Sequence, residues 1–339
     1  MNDTLPVNEQ LYGFVDDLEK CLSFNFDKII DCDNIVLYGM GGSAISGNVV
    51  ADYCFKRTNK PVVPIMSTSL PGWINERTLA IVSSYSGNTL ETIEAYSRLL
   101  KTGCTIIIIT SGGYLKQFAK KYDNILIDLP DNLHPRHSIG YMIGYTLGII
   151  RSVCKMESFD DILNSLPSLK NYRDELIRKD GIAHRLAECY AGKVPVICSY
   201  NDIQSIIFRW KTQFNENSKY VAFCTTISEF YYSNLNGWMD EKNKDYVLTL
   251  VIDENNHLKD ENLDKMIGLL KERKIKYQKI ALSGKSSTEI LFRALMLGDY
   301  ISIHLAEIQG VDPSGVPPVT MMKKKLKNIL ENRVNELMG

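Results

Sequence analysis

The chain has few of the features that mark several large classes of protein. Its 39 basic and 40 acidic residues balance, so it lacks the positive field of a typical nucleic-acid-binding protein. Its longest apolar run, around 106–109, is far too short to cross a bilayer, and the segment Met1 to Gln10 has no apolar signal-peptide core. We therefore expect no nucleic-acid partner, no association with a membrane and a cytoplasmic location.

Signatures of two common kinds of catalytic site are also missing. None of the eight cysteines forms a CxxC motif or a Cys/His pair with zinc spacing, which predicts no metal site and reduced, mostly buried thiols. The sequence has no GxSxG nucleophile elbow, and it has only five histidines. These absences count against a zinc enzyme and against a hydrolase with a serine triad.

Two predicted turns between a strand and a helix are the most informative features present. The segment Gly39-Met40-Gly41-Gly42-Ser43 follows an apolar run at 35–38, and Ser84-Tyr85-Ser86-Gly87-Asn88-Thr89 follows another at 80–83. Helix N-termini carry free N–H groups and partial positive charge, glycines let the backbone approach an anion, and hydroxyls add donors. The two turns therefore predict a site for a phosphorylated small molecule.

Apolar runs alternate with amphipathic stretches along both halves of the chain. The runs predict strands at 35–38, 62–66, 79–83, 105–110, 125–129, 194–198, 221–224, 246–252 and 277–282. The intervening patterns predict helices at 43–56, 89–101, 115–121, 139–153, 203–215, 260–273 and 288–307. Alternation of this kind predicts an α/β fold with parallel sheets covered on both faces, whose ligands bind beyond the carboxyl ends of the strands.

The two halves are similar in pattern, although no strict residue-level repeat relates them. We expect two tandem domains, residues 1–153 and residues 154–339. The charged, helical segment 163–188 is predicted to connect them.

The glycine-rich turn has two alternative interpretations. Gly39 to Ala44 fits the dinucleotide pattern GxGxxG/A, but the next strand ends in Ile65-Met66-Ser67-Thr68 without the carboxylate that a nicotinamide site needs. The other interpretation is a tight turn that binds no ligand. Neither explains why hydroxyl groups gather at the strand ends, on Ser43, Ser84, Ser86 and Thr89.

Two charged residues are candidates for chemistry. Glu216 lies between two asparagines in Asn215-Glu216-Asn217, which could hold a catalytic carboxylate in place, although a solvated surface carboxylate is the simpler interpretation. Arg136 follows Pro135, and its planar guanidinium suits an oxyanion or a phosphate, although a surface arginine is again the alternative. The residues by themselves leave these alternatives open.

Several motifs taken together resemble a known family. The glycine and serine turns, Thr110-Ser111-Gly112-Gly113 and Pro135-Arg136 resemble the sugar isomerase (SIS) fold. With Asn215-Glu216-Asn217 and Val311-Asp312-Pro313, the chain resembles the bifunctional phosphoglucose/phosphomannose isomerases over almost its whole length. The resemblance implies two tandem SIS domains and the interconversion of fructose 6-phosphate with glucose 6-phosphate, mannose 6-phosphate or both. It also implies a homodimer and no metal or organic cofactor.

The resemblance also assigns roles to residues of this chain. It implies that Ser43, Ser84, Ser86 and Thr89 hold the phosphate, with Gly42 giving backbone approach. Glu216 would be the base that moves a proton between C1 and C2, Arg136 would stabilise the enediolate, and Lys323 would lie near the sugar. An aldose–ketose conversion through a cis-enediol needs these groups, a carboxylate to carry the proton and a fixed cation beside the oxyanion.

One segment departs from the family pattern. Where the family has a ring-opening histidine, this chain has Tyr232, and a second acidic position is Asn234. A tyrosine of pKa about 10 is a poor proton shuttle at neutral pH. His137 or His304 could replace the histidine. Alternatively, the protein is a phosphosugar-binding sensor with lost or altered catalysis, or an isomerase of an amino-sugar phosphate.

Overall fold

A computed structural model of the chain describes residues 7–238, 245–254 and 261–339. Its contacts divide it into two compact units. The first comprises Met1–Phe159 and Val316–Gly339, and the second comprises Asp160–Gly315. Each unit contains one parallel sheet flanked by helices, as the alternating apolar pattern predicted.

The first unit contains a five-stranded sheet in the order β2-β1-β3-β4-β5. Its strands are β1 (Asn34–Tyr38), β2 (Val62–Ile65), β3 (Thr78–Ser83), β4 (Thr105–Thr110) and β5 (Ile125–Asp128). All neighbouring pairs are parallel. The chain steps from β1 outwards to β2 and then back to β3 on the other side of β1. The carboxyl ends of β1 and β3 therefore flank the topological switch point, where open α/β sheets bind ligands.

Helices of the first unit cover both faces of this sheet. In chain order they are α1 (Val7–Tyr12), α2 (Phe14–Leu22), α3 (Gly42–Cys54), α4 (Leu90–Leu99), α5 (Gly113–Lys121) and α6 (Ile139–Cys154). The sequence analysis predicted α3 to α6 but not α1 and α2. Glycines at a four-residue spacing let α6 lie against α2, because a Cβ on Gly140 would lie 2.8 Å from the Phe14 carbonyl oxygen and one on Gly144 2.4 Å from the Cys21 Cβ.

The second unit contains a four-stranded parallel sheet in the order β7-β6-β8-β9. Its strands are β6 (Val194–Ser199), β7 (Phe223–Thr226), β8 (Tyr246–Asp253) and β9 (Tyr277–Leu282). Its helices begin with α7 (Asp160–Leu163), α8 (Leu166–Leu176), α9 (Ile182–Tyr190), a 3-10 turn (Asn201–Ile203) and α10 (Gln204–Glu216). They continue with α11 (Ile227–Glu229), a π-helical turn (Phe230–Asn234), α12 (Leu235–Trp238), α13 (Glu261–Glu272) and α14 (Ser287–Gln309).

Helix α14 is the central element of the second unit, and α10 packs along it. The Trp210 indole N–H donates to the Ala294 carbonyl at 2.8 Å, and the ring lies where a Cβ on Gly298 would be. The buried guanidinium of Arg209 pairs with both carboxylate oxygens of Asp299 at 2.8 and 2.7 Å. These contacts fix the register of α10, which ends at the candidate residue Glu216.

The observed division differs from the predicted domains at two places, the first of which is residues 154–159, which belong to the first unit. The C-terminal helices α15 (Pro317–Lys325) and α16 (Lys327–Met338) belong to the first unit, because Val334 is buried in the core cluster that also contains residues of α4 and α5. The predicted connector at 163–188 forms parts of α7, α8 and α9 of the second unit, and α9 packs on α14. No helix among the described residues is long and apolar enough to span a membrane.

Candidate active site

The first candidate turn connects β1 to α3 and leaves its backbone open. Gly41 has a φ of +55°, and a Cβ placed there would meet none of the described residues within 4 Å. Gly42 begins α3, and Ser43 follows it with 8% of its surface exposed. The turn therefore leaves open space beside Gly41 at the start of α3, and a helix N-terminus is a place that suits an anion.

The second candidate turn brings its hydroxyl groups together. The side-chain oxygens of Ser84 and Thr89 lie 3.1 Å apart, and Thr89 is the extended N-cap residue of α4. Gly87 has a φ of +65° and donates its N–H to the Ser84 carbonyl at 3.1 Å, while the Asn88 N–H lies 3.4 Å from the Ser86 hydroxyl oxygen. Hydroxyl donors at a helix N-terminus form the kind of site that a phosphate prefers.

A third turn, between β4 and α5, packs against the second turn. A Cβ on Gly87 would lie 1.9 Å from the Gly112 carbonyl oxygen, and one on Gly113 would lie 2.3 Å from the Ser86 carbonyl oxygen. The Asn88 side-chain oxygen accepts from the Tyr114 N–H at 3.0 Å. The conformation of the second turn is therefore fixed before any ligand arrives.

The two hydroxyl-bearing turns lie at neighbouring strand ends. Strands β1 and β3 pair in register up to Tyr38 and Val82, directly before the turns begin. This is the switch point of the sheet, and the edge at which the sequence placed the ligand. The structure thus brings the phosphate candidates Gly42, Ser43, Ser84, Ser86 and Thr89 to one edge of the first sheet.

Arg136 lies beside the first turn, in the loop between β5 and α6. It is only 4% exposed, which excludes the simple surface arginine that the sequence left open. A Cβ on Gly42 would lie 3.3 Å from the Pro135 carbonyl oxygen and 3.6 Å from the Arg136 Cα. A side chain at position 42 would therefore require the loop to shift by a few tenths of an ångström from the start of α3.

Further hydrogen bonds hold the loop that carries Arg136, residues 129–138 between β5 and α6, which we call the arginine loop. The Ser138 hydroxyl donates to the Pro135 carbonyl at 3.0 Å, and the His137 N–H donates to the His134 carbonyl at 2.8 Å. The His134 N–H in turn donates to the side-chain oxygen of Gln10 in α1 at 2.6 Å. His137 is 1% exposed.

Glu216 is half-buried at the last residue of α10, in the second unit. The Lys219 ammonium group donates to the Glu216 carbonyl at 2.7 Å and to the Asp312 carbonyl, also at 2.7 Å. Hydrogen bonds from Ser314 to the Asp312 carboxylate lower the pKa of that carboxyl group. Lys219 thus ties the end of α10 to the Val311-Asp312-Pro313 segment.

The two asparagines that flank Glu216 have different surroundings. Asn217 is fully buried, and its side-chain N–H donates to the Ser302 hydroxyl of α14 at 2.9 Å. Asn215 is exposed and donates to the Lys211 carbonyl at 2.5 Å. Only Asn217 anchors the chain next to Glu216 to the neighbouring helix.

The segment that departs from the family pattern comprises the π-helical turn (Phe230–Asn234) and the residues on either side of it. Tyr232 is 80% exposed, and its ring makes an edge contact with Tyr231 at 4.8 Å between centroids. Asn234 lines a partly open cavity of ≈ 390 Å³ beside β7, together with Phe230 and Trp238. Tyr232, which the resemblance sets at the position of the ring-opening histidine, is therefore a surface residue in this structure.

His304 does not lie on the face of α14 that anchors α10. Its ring Nε2 lies 2.8 Å from the Leu176 carbonyl oxygen, and its ring stacks edge-on against His184 at 5.3 Å. Ser302, two residues earlier, contacts Asn217, and two residues along an α-helix amount to a rotation of about 200°. This geometry disfavours His304 as a substitute for the ring-opening histidine. Lys323, the remaining candidate, is exposed on α15.

Sequence reasoning missed two residues that hold the site. Tyr85 lies in the second turn and Lys219 lies three residues after Glu216, and the side chain of each bonds to distant backbone. Such bonds leave no periodic or compositional signal in the sequence. Asn217 was considered only as a neighbour of Glu216, and its partner on α14 was not foreseen.

Comparison with known proteins identifies the family of the chain. The model of the SIS domain matches residues 28–127, and the model of the bacterial phospho-glucose isomerase C-terminal SIS domain matches residues 179–326. A bifunctional phosphoglucose/phosphomannose isomerase from Caldicellulosiruptor bescii is 32% identical over 338 residues, which cover 95% of this chain and 99% of that protein.

A more distant relative and a solved structure complete the comparison. A D-glucosamine-6-phosphate 4-epimerase from Sulfolobus acidocaldarius is 27% identical over 231 residues, covering 68% of this chain and 72% of that protein. The C-terminal domain of glucosamine-fructose-6-phosphate aminotransferase from Francisella tularensis has a similar fold, with a TM-score of 0.69 and 13% identity over 91% of this chain and 97% of that chain. The last similarity concerns the fold alone.

Proposed function

Because the chain belongs to the bifunctional phosphoglucose/phosphomannose isomerase family, we propose that it interconverts fructose 6-phosphate with glucose 6-phosphate, mannose 6-phosphate or both. It is a phosphosugar isomerase, and the reaction is an aldose–ketose conversion through a cis-enediol. The observation that carries the substrate class is the pair of hydroxyl-bearing turns at the switch point, with Ser84 and Thr89 side-chain oxygens 3.1 Å apart.

The phosphate is bound by the turns of the first unit. Ser43, Ser84, Ser86 and Thr89 supply hydroxyl donors, and the start of α3 at Gly42 supplies backbone N–H groups. The phosphate is remote from the reacting carbons, so its binding energy serves to position C1 and C2 of the sugar.

Glu216 carries the proton and Arg136 stabilises the intermediate. A carboxylate can remove the proton from one carbon of the sugar and return it to the next across the same face of the enediol. The oxyanion that develops is stabilised by a fixed cation, and the buried, well-anchored Arg136 meets that requirement. Lys323 assists near the sugar. This chemistry requires no metal or organic cofactor.

Tyr232 stands at the position of the ring-opening histidine, and we propose that it takes no part in proton transfer. Its 80% exposure in the monomer and its position on the π-helical turn support this. Ring opening then depends on His137 or on the spontaneous opening of the sugar.

The direct test is a coupled assay with fructose 6-phosphate that detects glucose 6-phosphate and mannose 6-phosphate separately. Turnover that is lost in Glu216→Gln would support the proposal. A wild-type protein whose melting temperature rises with fructose 6-phosphate but which shows no turnover would instead be a phosphosugar-binding sensor.

A second candidate is an isomerase of an amino-sugar phosphate. The relative from Sulfolobus acidocaldarius is named for D-glucosamine 6-phosphate, and the altered segment at Tyr232 and Asn234 lies where the family pattern changes. Assays with glucosamine 6-phosphate beside glucose 6-phosphate separate the two, because the favoured substrate has the higher kcat/KM.

We also propose a cytoplasmic homodimer. All eight cysteines are free thiols, which suits a reducing compartment, and the dimer is the assembly that the family resemblance implies. Light scattering of the purified protein tests the dimer, and fractionation of the source cells tests the location.

A further inference from the structure

We propose that Tyr85 is a positioning residue that couples the phosphate-binding turn to Arg136. Tyr85 lies between Ser84 and Ser86, and it is 6% exposed. This inference rests on the function proposed above and assigns a role to a residue that does not itself contact the phosphosugar.

The side chain of Tyr85 extends from the second turn, and its hydroxyl group bonds to the backbone of the arginine loop. It donates to the Pro130 carbonyl at 2.7 Å and accepts from the Leu133 N–H at 2.8 Å. Both partners lie on the segment that leads from β5 to Arg136, and Leu133 is only three residues before it. One buried hydroxyl thus satisfies a donor and an acceptor of the loop backbone.

The backbone of Tyr85 is anchored independently of its side chain. Its carbonyl oxygen accepts from the Ser111 N–H at 3.0 Å, from the Ser111 hydroxyl at 2.7 Å and from the Thr110 hydroxyl at 3.3 Å. The Ser111 hydroxyl also interacts with the Tyr85 hydroxyl, whereas the bonds from the Ser111 N–H and the Thr110 hydroxyl to the carbonyl oxygen do not involve the tyrosine side chain. Removing the Tyr85 hydroxyl group therefore leaves these backbone bonds of the turn in place and releases the bonds to the loop.

Other contacts hold the arginine loop against the first turn and against α1. The first turn approaches the loop closely, since a Cβ on Gly42 would lie 3.3 Å from the Pro135 carbonyl oxygen, and the Gln10 side chain accepts from the His134 N–H. The Tyr85 hydroxyl bonds to Pro130 and Leu133, which come before His134 in the loop. The arginine loop is thus fixed against both phosphate-binding turns, so a phosphate seated in them sets the distance between the sugar and Arg136. Misplacement of a catalytic group by about 1 Å can cost about a hundredfold in rate.

The test is Tyr85→Phe, compared with Tyr96→Phe. Tyr96 is a fully buried tyrosine of the same unit whose hydroxyl donates to the Asn124 side chain at 2.6 Å. We expect Tyr85→Phe to lower kcat by about tenfold or more, with KM and the phosphate-induced rise in melting temperature changed by less than about twofold. Tyr96→Phe should leave kcat unchanged. Equal kcat losses in both variants would overturn the inference.

A double-mutant cycle tests whether the effect passes through Arg136. In an Arg136→Lys background, Tyr85→Phe should lower kcat by less than about twofold, because the group that it positions is already gone. The same loss in both backgrounds would contradict the coupling.

Hydrogen exchange separates this inference from the proposed function. In Tyr85→Phe the backbone N–H of Leu133 loses its acceptor, so peptides covering 130–138 should exchange faster, whereas Tyr96→Phe should not change them. A wild-type enzyme that does not turn over phosphosugars would overturn the proposed function, and unchanged exchange at 130–138 would overturn the role of Tyr85 whether or not the enzyme is active.

Discussion

The side-chain oxygens of Ser84 and Thr89 lie 3.1 Å apart at the start of α4. Ser84 directly follows β3 and Thr89 is the N-cap residue of α4, so one hydrogen bond spans the turn. A phosphate oxygen would accept from both hydroxyls where they now bond each other.

Ser84→Ala and Thr89→Val should therefore each raise the KM for fructose 6-phosphate by about tenfold, since a hydrogen bond to a charged group contributes about 1.5–3 kcal/mol. Steady-state kinetics and the melting-temperature shift with inorganic phosphate measure the effect. Ser97→Ala is the control, because Ser97 bonds to the Glu94 carbonyl within the same helix. An unchanged KM in both variants would remove these hydroxyls from the phosphate site.

Two glycine substitutions should have unequal effects. Alanine is strained at both Gly87 and Gly41, because φ is positive at each position. At Gly87 a Cβ also collides with the Gly112 carbonyl oxygen at 1.9 Å, whereas at Gly41 it meets none of the described residues within 4 Å. Gly87→Ala should lower the melting temperature more than Gly41→Ala. Equal melting temperatures would show that the second turn can relax.

Glu216→Gln should lower kcat by about 10²–10⁴-fold, because an amide cannot carry the proton between C1 and C2. Fructose 6-phosphate should still raise its melting temperature. The control is Glu272→Gln, which changes an exposed carboxylate at the end of α13 in the same unit. Normal turnover by Glu216→Gln would assign the proton transfer to another group.

Asn217→Ala should affect both stability and rate. It removes the bond to Ser302 and leaves a buried hydroxyl without this donor, which costs about 1–3 kcal/mol, and it loosens the chain beside Glu216. We expect a lower melting temperature and a lower kcat with little change in KM. Thr212→Ala, on the same helix, removes only a bond to the Arg209 carbonyl and should do neither. A loss of stability with unchanged kcat would limit Asn217 to the core.

Stability should depend on pH through Asp17. Burial raises the pKa of this carboxyl group to about 6, and a hydrogen bond with Tyr141 and the charge of Lys20 only partly oppose that rise. The folded state thus holds the proton more tightly than the unfolded state, whose pKa is about 3.9. The stabilisation is complete below pH 4 and is lost as pH rises through 6.

Asp17→Asn removes this dependence. The free energy of unfolding, measured with urea at pH 4 to 7, should fall less with pH in Asp17→Asn than in the wild type. The exposed neighbour Asp16→Asn is the control. A wild-type profile in Asp17→Asn would mean that this carboxyl group does not contribute.

Two parts of the fold differ from the sequence prediction, namely the helices α1 and α2 and the place of the C-terminal helices. The helix α1 was missed because it has only six residues. The helix α2 does carry a local signal, since its buried residues recur at helical spacing from Phe14 to Leu22, and this signal was overlooked in the sequence analysis. The C-terminal helices were placed with the second domain because proximity in sequence was the only guide, whereas Val334 is buried in the first unit.

The amino-acid sequence by itself determined the alternation of strands and helices, the two hydroxyl-bearing turns and the family. Those features depend on local properties, namely nearly all-apolar strands, glycines that allow open turns and hydroxyls directly after strand ends. Only the tertiary structure decided that Arg136 is buried against Gly42, that Asn217 is anchored to Ser302 and that Tyr85 joins the arginine loop. Each of these depends on strand order or helix packing, which brings together residues whose separation in sequence carries no local signal.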